Sequence, residues 1–436
     1  MEFLLAPGGC VHGEARVPGD KSMSHRSVML GALANGVTNV SGFLEGEDAL
    51  ATVAAFRAMG VQIEGPKRGA LQIMGRGLGG LSEAASVLDM GNSGTSMRLM
   101  AGILAGQPFA STLTGDVSLL GRPMQRVITP LSLMGANIES TGEGLPPLRL
   151  KPGPGLRGIH YDLPVASAQV KSCVLLAGLF AKGQSSVTEP APTRDHTERM
   201  LRGFGYAVAR EKGVISLRGG NALDACDIDV PADISSAAFF LVAASIAPES
   251  ELLLTHVGVN PTRTGILSIL RLMGADIQLT NEREVGGEPV ADILVCSAPL
   301  HGIDIPEELV PLAIDEFPVL FIAAACATGT TVLRGAAELR VKESDRIASM
   351  AEGLETLGIN ARVLDDGMII EGGEIGGGTV RTFHDHRIAM AFSIAALRAQ
   401  REIRVLDCDH VSTSFPGFDS LARGLGLQIA VQEPEE

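Results

Sequence analysis

The sequence contains no tryptophan, only two tyrosines and 4% aromatic residues in 436 positions. Hydrophobic residues still make up 45% of the chain, so a core must be built from alanine, leucine, valine, isoleucine and methionine. Charged residues are also sparse, at 19%, and the formal net charge is −15. A chain of this charge does not hold nucleic acid through bulk electrostatics, so any anion must be bound by a local cluster of bases.

Cysteine pairs with CxxC or zinc-finger spacing are also missing. The six cysteines are scattered, at Cys10, Cys173, Cys226, Cys296, Cys326 and Cys408. We therefore expect reduced thiols in a cytoplasmic protein. No apolar run approaches the ~20 residues of a membrane helix, and residues 1–5 lack a basic leader. We expect no membrane association.

Glycine, in contrast, is abundant, with 53 residues, and six of these glycines mark an internal repeat. Each follows a helical pattern and precedes a short alternating strand. They are Gly60, Gly135, Gly205, Gly274, Gly358 and Gly426, at intervals of 75, 70, 69, 84 and 68 residues. Each suits the left-handed position that ends a helix. The longest interval contains an acidic insertion around 281–284.

A second family of helices interleaves with these glycines. Their bodies are apolar on almost every side, which predicts burial on every side. They begin near Ser24, Thr95, Ser167, Ser235, Glu316 and Asp385. The repeat of about 70 residues predicts two α/β domains of three units each rather than a solenoid, because stacked repeats seldom need a wholly buried helix. We place the boundary near 230–233, and the first ~18 residues form a strand that suits either half.

The first buried helix is preceded by a dense set of polar residues, Gly19–Arg26. Pro18, Gly19 and Asp20 predict a turn, and Ser22 or Ser24 is the expected helix cap. A helix N-terminus carrying Lys21 and Arg26 favours an anion such as phosphate or carboxylate. The alternative is a capped surface helix with solvated charges.

Other helix starts carry similar chemistry. If 340–346 is helical, Lys342 and Arg346 share a face, and a bound anion would relieve their repulsion. The alternative is a solvated helix in which Glu343 and Asp345 neutralise the bases. Asp315 is either an acid favoured by a helix dipole or a general base facing a basic pocket.

Two cofactor classes have little support. His384, Asp385 and His386 form an HxH pattern, but no third histidine cluster accompanies it, so we expect no metal. Gly91–Thr95 lacks the lysine of a phosphate-binding P-loop and the G-x-G-x-x-G pattern of dinucleotide folds. We expect neither a nucleotide nor a nicotinamide.

Nine motifs together resemble one family. They are GDKSMSHR (19–26), GNSGTSMR (91–98), GRPM (121–124), VASAQVKS (165–172), TRDHT (193–197), AIDEFP (313–318), RVKESDR (340–346), DHRIAMAF (385–392) and TSFPGF (413–418). In this order the chain resembles the 3-phosphoshikimate 1-carboxyvinyltransferase family, also called 5-enolpyruvylshikimate-3-phosphate (EPSP) synthase. The resemblance implies a two-domain inside-out α/β barrel with six βαβαββ-type repeats, three per domain. The implied domains are 19–232 and 1–18 plus 233–436, with a hinge crossed near 18 and 232 and helix N-termini facing the cleft.

The same resemblance implies an activity. Members transfer the enolpyruvyl group of phosphoenolpyruvate to the 5-hydroxyl of shikimate 3-phosphate and release phosphate. No cofactor is implied, and the implied partners are these two small substrates, with no nucleic acid and no membrane. We expect a cytoplasmic monomer.

Site residues carry over by motif. For shikimate 3-phosphate they are Lys21, Ser22, Arg26, Ser167, Ala168, Gln169, Arg194, Asp315 and Lys342. For phosphoenolpyruvate they are Lys21, Gly94, Arg122, Gln169, Glu343, Arg346 and Arg387. Asp315 would accept the 5-hydroxyl proton, while Glu343 and Lys21 would manage protonation at the methylene carbon.

Three positions depart from some members: Ala168 replaces a serine, Glu338 an asparagine and Thr413 a lysine. They indicate the divergent bacterial branch of the family and bear on one phosphoenolpyruvate-side contact. Gly94 leaves room for the inhibitor glyphosate, so we expect a sensitive enzyme.

Two other functions remain open at this stage. UDP-N-acetylglucosamine enolpyruvyl transferase resembles this family in its repeats, but it usually carries a cysteine in the loop that is Gly115–Leu120 here. A non-catalytic protein that binds phosphorylated metabolites would need the bases but neither Asp315 nor Glu343.

Overall fold

A computed structural model describes residues 1–433 and shows an alternation of helices and short strands. The α-helices of this part are α1 (Lys21–Leu33), α2 (Glu47–Ala58), α3 (Gly94–Leu104), α4 (Val117–Leu120), α5 (Gln125–Leu133), α6 (Ala168–Gly178), α7 (His196–Gly203), α8 (Ile234–Ile246), α9 (Gly265–Leu272), α10 (Phe317–Cys326), α11 (Arg346–Thr356), α12 (His386–Ala395) and α13 (Phe418–Gly424). Short 3-10 turns cover Glu307–Leu309, Ala337–Val341, Ala396–Arg398 and Asp409–Thr413.

The strands are short, mostly four to seven residues. They are β1 (Glu2–Leu5), β2 (His12–Ala15), β3 (Asn35–Ser41), β4 (Gln62–Lys67), β5 (Ala70–Arg76), β6 (Leu88–Asp89), β7 (Ser111–Thr114), β8 (Asn137–Thr141), β9 (Leu145–Lys151), β10 (His160–Asp162), β11 (Gln184–Thr188), β12 (Val208–Glu211), β13 (Val214–Arg218), β14 (Ile228–Asp229), β15 (Glu251–Gly258), β16 (Asp276–Val285), β17 (Glu288–Cys296), β18 (Thr330–Leu333), β19 (Asn360–Leu364), β20 (Gly367–Glu371), β21 (Gly378–Arg381), β22 (Ile403–Leu406) and β23 (Ile429–Gln432). The longest hairpin, β16–β17, contains the acidic insertion of the longest repeat interval.

The chain divides into two compact units. Unit I comprises Gly19–Val230 together with Val285–Glu288, and unit II comprises Met1–Pro18, Pro231–Glu284 and the residues from Pro289 on. Each unit has a hydrophobic core of its own.

Within residues 1–433, each unit contains three small sheets built on one plan, a parallel pair followed by antiparallel neighbours. In unit I the strand orders are β14-β3-β5-β4, β6-β7-β9-β8 and β10-β11-β13-β12. In unit II they are β2-β15-β17-β16, β21-β22-β1-β23 and β18-β20-β19. In the last sheet, parallel bridges at His301 and Asp304 replace the outer strand. The predicted sixfold repeat is therefore confirmed, and β1 and β2 complete two sheets of unit II.

In the described part of the chain, three buried helices lie at the centre of each unit: α1, α3 and α6 in unit I, and α8, α10 and α12 in unit II. Every residue of α8 is buried, as its all-round apolar pattern predicts. Close packing requires small residues, and a Cβ built on Gly102 of α3 would lie 2.4 Å from the carbonyl oxygen of Cys173 in α6. The sheets cover these helices, which is an inside-out α/β arrangement.

The six glycines of the repeat all have positive φ, between 76° and 115°. A side chain is disfavoured in that left-handed conformation. Their predicted role in ending helices is confirmed. Among the described helices, none has the length and apolarity needed to cross a membrane.

Candidate functional site

The first polar junction lies at the N-terminus of α1, and its cap differs from our expectation. The helix begins at Lys21, and the Asp20 carboxylate accepts a 2.8 Å hydrogen bond from the Met23 amide. The prediction that Ser22 or Ser24 caps the helix is wrong, because the turn ends earlier and a carboxylate there complements the helix dipole. Ser24 instead accepts a hydrogen bond from the Leu44 amide.

Arg26 is buried and donates hydrogen bonds to three groups. The sequence predicted its positive charge but not these partners. Nε donates to the Thr197 hydroxyl at 2.7 Å, Nη2 donates to Ser172 at 2.9 Å, and Nη1 donates to the Ser22 carbonyl at 2.9 Å. Burial lowers the pKa of Arg26 to about 10, mainly through desolvation, and Glu198 and Asp20 oppose that change. The guanidinium remains cationic at neutral pH.

Two contacts one helical turn apart join α1 to α2. The Lys21 ammonium donates to Asp48 at 3.1 Å, and the His25 Nδ1 lies 2.8 Å from the Thr52 hydroxyl. His25 is fully buried, and its pKa falls to about 3 because of desolvation first and of Lys21 and Arg26 second. It is therefore a neutral structural residue.

The starts of α3 and α6 lie beside each other through a contact that the sequence did not reveal. Arg98 donates to the Gln169 side-chain oxygen at 2.6 Å, and Gln169 donates to Thr95 at 3.0 Å. Arg98 was not among the predicted site residues, although it ends the GNSGTSMR motif one turn after Gly94. A Cβ on Gly94 would lie 2.9 Å from Arg98 Nη1 and 3.5 Å from Arg122 Nη1.

Arg122 is oriented by groups around the α3 start. Its Nη2 donates to the Asn92 side chain at 2.6 Å and to Ser118 at 3.0 Å, and its Nη1 donates to the Asn92 carbonyl at 3.2 Å. Ser93 caps α3 and Ser167 caps α6. In unit I the N-termini of α1, α3 and α6 therefore lie near four bases, Lys21, Arg26, Arg98 and Arg122. Ala168 lies in the first turn of α6, and Arg194 lies just before α7.

A buried ion cluster behind this surface was also missed. The Lys171 ammonium lies 2.9 Å from Glu189 and 2.8 Å from Glu198, and all three side chains are almost completely buried. Lys171 was visible in the VASAQVKS motif, but its partners are 18 and 27 residues away. Only the fold shows that this charge points inward.

Unit II brings together the acids and bases of two motifs. Asp315 lies 3.3 Å from the Lys342 ammonium and 3.5 Å from Arg346 Nη1. Arg346 also donates to Glu343 at 2.6 Å and to Asp385 at 2.8 Å. These carboxylates raise the pKa of Arg346 despite its complete burial. The predicted residues Asp315, Lys342, Glu343 and Arg346 therefore form one cluster.

The local structure of that cluster differs from the expected helix. Helix α11 starts at Arg346, with Asp345 as its cap, and Lys342 lies outside it. The prediction that Lys342 and Arg346 share a helix face is wrong. The Asp345 side chain accepts a hydrogen bond from the Ala348 amide, so the helix begins only after Asp345. Glu343 neutralises Arg346, as one alternative supposed, whereas Asp345 pairs with Arg340 at 2.6 Å.

Asp385 caps α12 and has a structural role. One of its oxygens accepts from the Arg387 amide at 2.9 Å, and the other accepts from Ser344 and Arg346. Arg387 lies in the first turn of this buried helix. Among residues 1–433, no group of three histidine, cysteine or acidic side chains has an arrangement suited to a metal ion.

Comparison with known proteins gives the family. A family model described as EPSP synthase (3-phosphoshikimate 1-carboxyvinyltransferase) matches residues 5–421. The chain belongs to the EPSP synthase family.

Relatives within this family match along almost their full length. The 3-phosphoshikimate 1-carboxyvinyltransferase of Methylococcus capsulatus is 65% identical, with 98% of each chain covered. That of Alkalilimnicola ehrlichii is 64% identical, covering 100% of this chain and 98% of its own. A solved EPSP synthase from Acinetobacter baumannii has a TM-score of 0.90 at 57% identity, covering 99% of this chain and 100% of its own. The alternative acceptor UDP-N-acetylglucosamine is set aside by these EPSP synthase matches.

Proposed function

We propose that this chain is a 3-phosphoshikimate 1-carboxyvinyltransferase of the shikimate pathway, which leads to aromatic amino acids. It transfers the enolpyruvyl group of phosphoenolpyruvate to the 5-hydroxyl of shikimate 3-phosphate and releases phosphate. Membership of the EPSP synthase family carries this assignment. The clusters of bases at helix N-termini support it, because both substrates are multiply charged anions.

Shikimate 3-phosphate is held chiefly by unit I in this proposal. Ser22, Ser167, Ala168 and Gln169 lie in or beside the first turns of α1 and α6, where amides and hydroxyls face an anion. Arg26 and Arg194 supply positive charge on the same unit. Lys21, from unit I, and Asp315 and Lys342, from unit II, complete the proposed set.

Phosphoenolpyruvate is held by bases of both units in this proposal. Lys21, Gly94, Arg122 and Gln169 come from unit I. Glu343, Arg346 and Arg387 come from unit II. Arg346 is completely buried among carboxylates, so we assign it mainly to orienting Glu343 and Asp315 and to offering positive charge behind them.

The chemistry requires one proton acceptor and one proton donor. Asp315 accepts the 5-hydroxyl proton as that oxygen attacks C2 of phosphoenolpyruvate, while Lys21 or Glu343 delivers a proton to the methylene carbon. The resulting tetrahedral intermediate returns a proton from its methyl group to Lys21 or Glu343 as the C2–O bond to phosphate breaks, which forms the enol ether of the product. Arginines stabilise the charge on the phosphate that leaves. We propose no cofactor or metal for this sequence.

The remaining assignments are also proposals. Units I and II act as the two domains, with unit I providing most of the shikimate 3-phosphate site. We propose a monomer that works in the cytoplasm on these two small substrates, without nucleic acid or membrane. The six free cysteines accord with a reducing compartment.

One assay tests the function directly. Phosphate release from phosphoenolpyruvate is measured with shikimate 3-phosphate, with unphosphorylated shikimate, and with UDP-N-acetylglucosamine. We expect turnover with shikimate 3-phosphate and at least 100-fold less with the other acceptors. Calorimetric binding of both substrates without phosphate release would instead favour a non-catalytic binding protein.

A further inference from the structure

The β16–β17 hairpin ends in a tight turn that belongs to unit I. Its two loop residues, Gly286 and Gly287, have φ values of 59° and 83°, which is the pattern of a two-residue type I′ turn. The strands on either side are long, with ten and nine residues. The segment Val285–Glu288, hereafter the tip, is grouped with unit I by its contacts.

The tip contacts one face of α7, where two hydrogen bonds join them. His196 Nδ1 donates to the Glu288 carboxylate at 2.8 Å, and both side chains are at most 3% exposed. Arg199 Nη1 donates to the Gly287 carbonyl at 2.9 Å, while its Nε donates to Asp195 at 2.9 Å. His196 and Arg199 are three residues apart, so they lie on the same side of the helix.

The neighbouring residues of α7 hold one base of the proposed substrate site, Arg26, and one buried base, Lys171. Thr197 accepts from Arg26 Nε at 2.7 Å and donates to Ser172 at 2.7 Å. Glu198 lies 2.8 Å from the Lys171 ammonium. A displacement of the first turn of α7 would therefore move Arg26, and it would also move Arg194, which immediately precedes the turn.

Electrostatics adds a second link between the tip and this surface. The Glu288 carboxylate is among the negative charges that favour the protonated form of Arg26, along with Glu198 and Asp20. Because these groups are buried, salt screens the interaction little. The tip thus affects both the position and the charge environment of the same guanidinium.

We propose that Glu288 is a positioning residue for shikimate 3-phosphate: through His196 it fixes the first turn of α7 and thereby Arg26 and Arg194. The inference rests on the proposed function, because it takes these two arginines as ligands of that substrate. Glu288 itself touches neither substrate. Its loss should weaken shikimate 3-phosphate binding while leaving the chemical step unchanged.

The test compares variants that keep or lose the acceptor on the tip. Glu288→Ala should raise the KM for shikimate 3-phosphate about tenfold, equivalent to about 1.4 kcal/mol, with kcat and the KM for phosphoenolpyruvate within about twofold. Glu288→Gln retains an acceptor oxygen and should stay within about threefold of wild type. Glu284→Ala, an exposed change on the same hairpin, is the matched control and should have no effect.

A second pair of variants addresses folding. His196→Asn keeps an N–H donor near the Nδ1 position and should stay within about threefold, whereas His196→Ala should match Glu288→Ala. The double variant with both alanines should be no worse than either single one, because the two side chains act as one pair. If Glu288→Ala does not fold, the two His196 variants decide the question.

The inference is wrong if Glu288→Ala or His196→Ala folds and has a wild-type KM for shikimate 3-phosphate. This holds even if the melting temperature of the variant is lower than that of wild type. A merely structural role would give that outcome. Calorimetric titration with shikimate 3-phosphate alone separates the two hypotheses. If the wild-type protein binds shikimate 3-phosphate without turnover, the proposed function is wrong. The ratio of the dissociation constants of Glu288→Ala and wild type for shikimate 3-phosphate would still test the role of the tip.

Discussion

Asp315 is held between two cations, the Lys342 ammonium at 3.3 Å and the Arg346 guanidinium at 3.5 Å. Arg346 in turn pairs with Glu343, so the two acids of the proposed mechanism share one buried base. A pair of carboxylates held in place by fixed cations can take up and deliver protons without large rearrangement. Removing one acid should then affect chemistry more than binding.

Asp315→Asn and Glu343→Gln should each lose at least ~10²-fold in kcat, the usual scale of general acid–base catalysis. Both changes preserve size, so calorimetry should show that each variant retains binding of shikimate 3-phosphate. Glu308→Gln, an exposed change in the same unit, serves as the control. Wild-type turnover in either variant would remove that carboxylate from the mechanism.

Gly94 lies where a methyl group would meet two guanidiniums, at 2.9 Å from Arg98 and 3.5 Å from Arg122. Arg98 would have to shift, whereas the distance to Arg122 is an ordinary contact; because the added methyl group also fills space at the proposed phosphoenolpyruvate site, Gly94→Ala should raise the KM for phosphoenolpyruvate by roughly tenfold while shikimate 3-phosphate binding changes little. The control is Gly121→Ala, beside the same Arg122, where the nearest atom is 3.6 Å away.

Glyphosate inhibition checks the same position. We expect the unmodified enzyme to have an inhibition constant at or below its KM for phosphoenolpyruvate, because glycine leaves space at this point. A constant far above that KM would show that the residue at this position does not decide sensitivity.

Helices α1, α2 and α3 are joined by a buried hydrogen-bonded chain in which His25 is the titratable member. The His25 ring contacts Thr52, and the Thr52 hydroxyl lies 2.8 Å from that of Ser96 in α3. This chain fixes the start of α1 relative to α3. Its geometry depends on a neutral imidazole, since protonation would place a charge in the core.

Stability should therefore fall as the solution becomes acidic. The pKa of His25 is about 3 in the folded chain and about 6.5 when unfolded, so below pH 6.5 only the unfolded chain takes up the proton. The loss from this group between pH 7 and pH 5 is on the order of 2 kcal/mol. No such loss occurs above pH 6.5.

Urea unfolding curves at pH 7 and pH 5 measure this effect against His25→Asn, which keeps a hydrogen-bond donor but cannot titrate. The variant should have a lower free energy of unfolding than wild type at pH 7. At pH 5 the difference between the two proteins should be smaller by on the order of 2 kcal/mol. A difference that is independent of pH would mean that His25 is charged inside the fold.

The packing of α3 against α6 gives a prediction about glycine. Gly102→Ala would force a methyl group to 2.4 Å from the Cys173 carbonyl oxygen, so it should destabilise the protein by about 1–3 kcal/mol. Gly424→Ala, at an exposed position at the end of α13 with no atom within 4 Å of the added Cβ, should instead stabilise it by up to about 1 kcal/mol. Thermal unfolding distinguishes them, and equal effects would contradict the packing argument.

Across the whole molecule, the repeat was predictable because its signals are local. A glycine such as Gly274 ends a helix through its own backbone conformation, and a helix such as α8 shows its burial in its composition. These features need no knowledge of distant residues. The same holds for the helix N-termini that carry the candidate site.

Features that depend on distant partners were not predictable. The position of Arg346 among Asp315 and Asp385, and the inward direction of Lys171, are set by residues 18 or more positions away. The cap of α1 was predicted wrongly for a different reason. Asp20, Ser22 and Ser24 are all suitable N-cap residues, and the sequence does not show at which of them the helix begins. The tip of the β16–β17 hairpin follows the acidic insertion at 281–284, and the sequence did not show its contact with α7.

Strand β1 pairs with β22 and β23, which lie about 400 residues later in the chain. Unit I can fold before these strands are made, and β2 can pair with β15 about 240 residues after it, but β1 lacks both neighbours until β22 and β23 have been synthesised. Until then β1 exposes apolar side chains such as Phe3 and Leu5, which are buried in the folded protein, so we expect unfinished chains to bind chaperones.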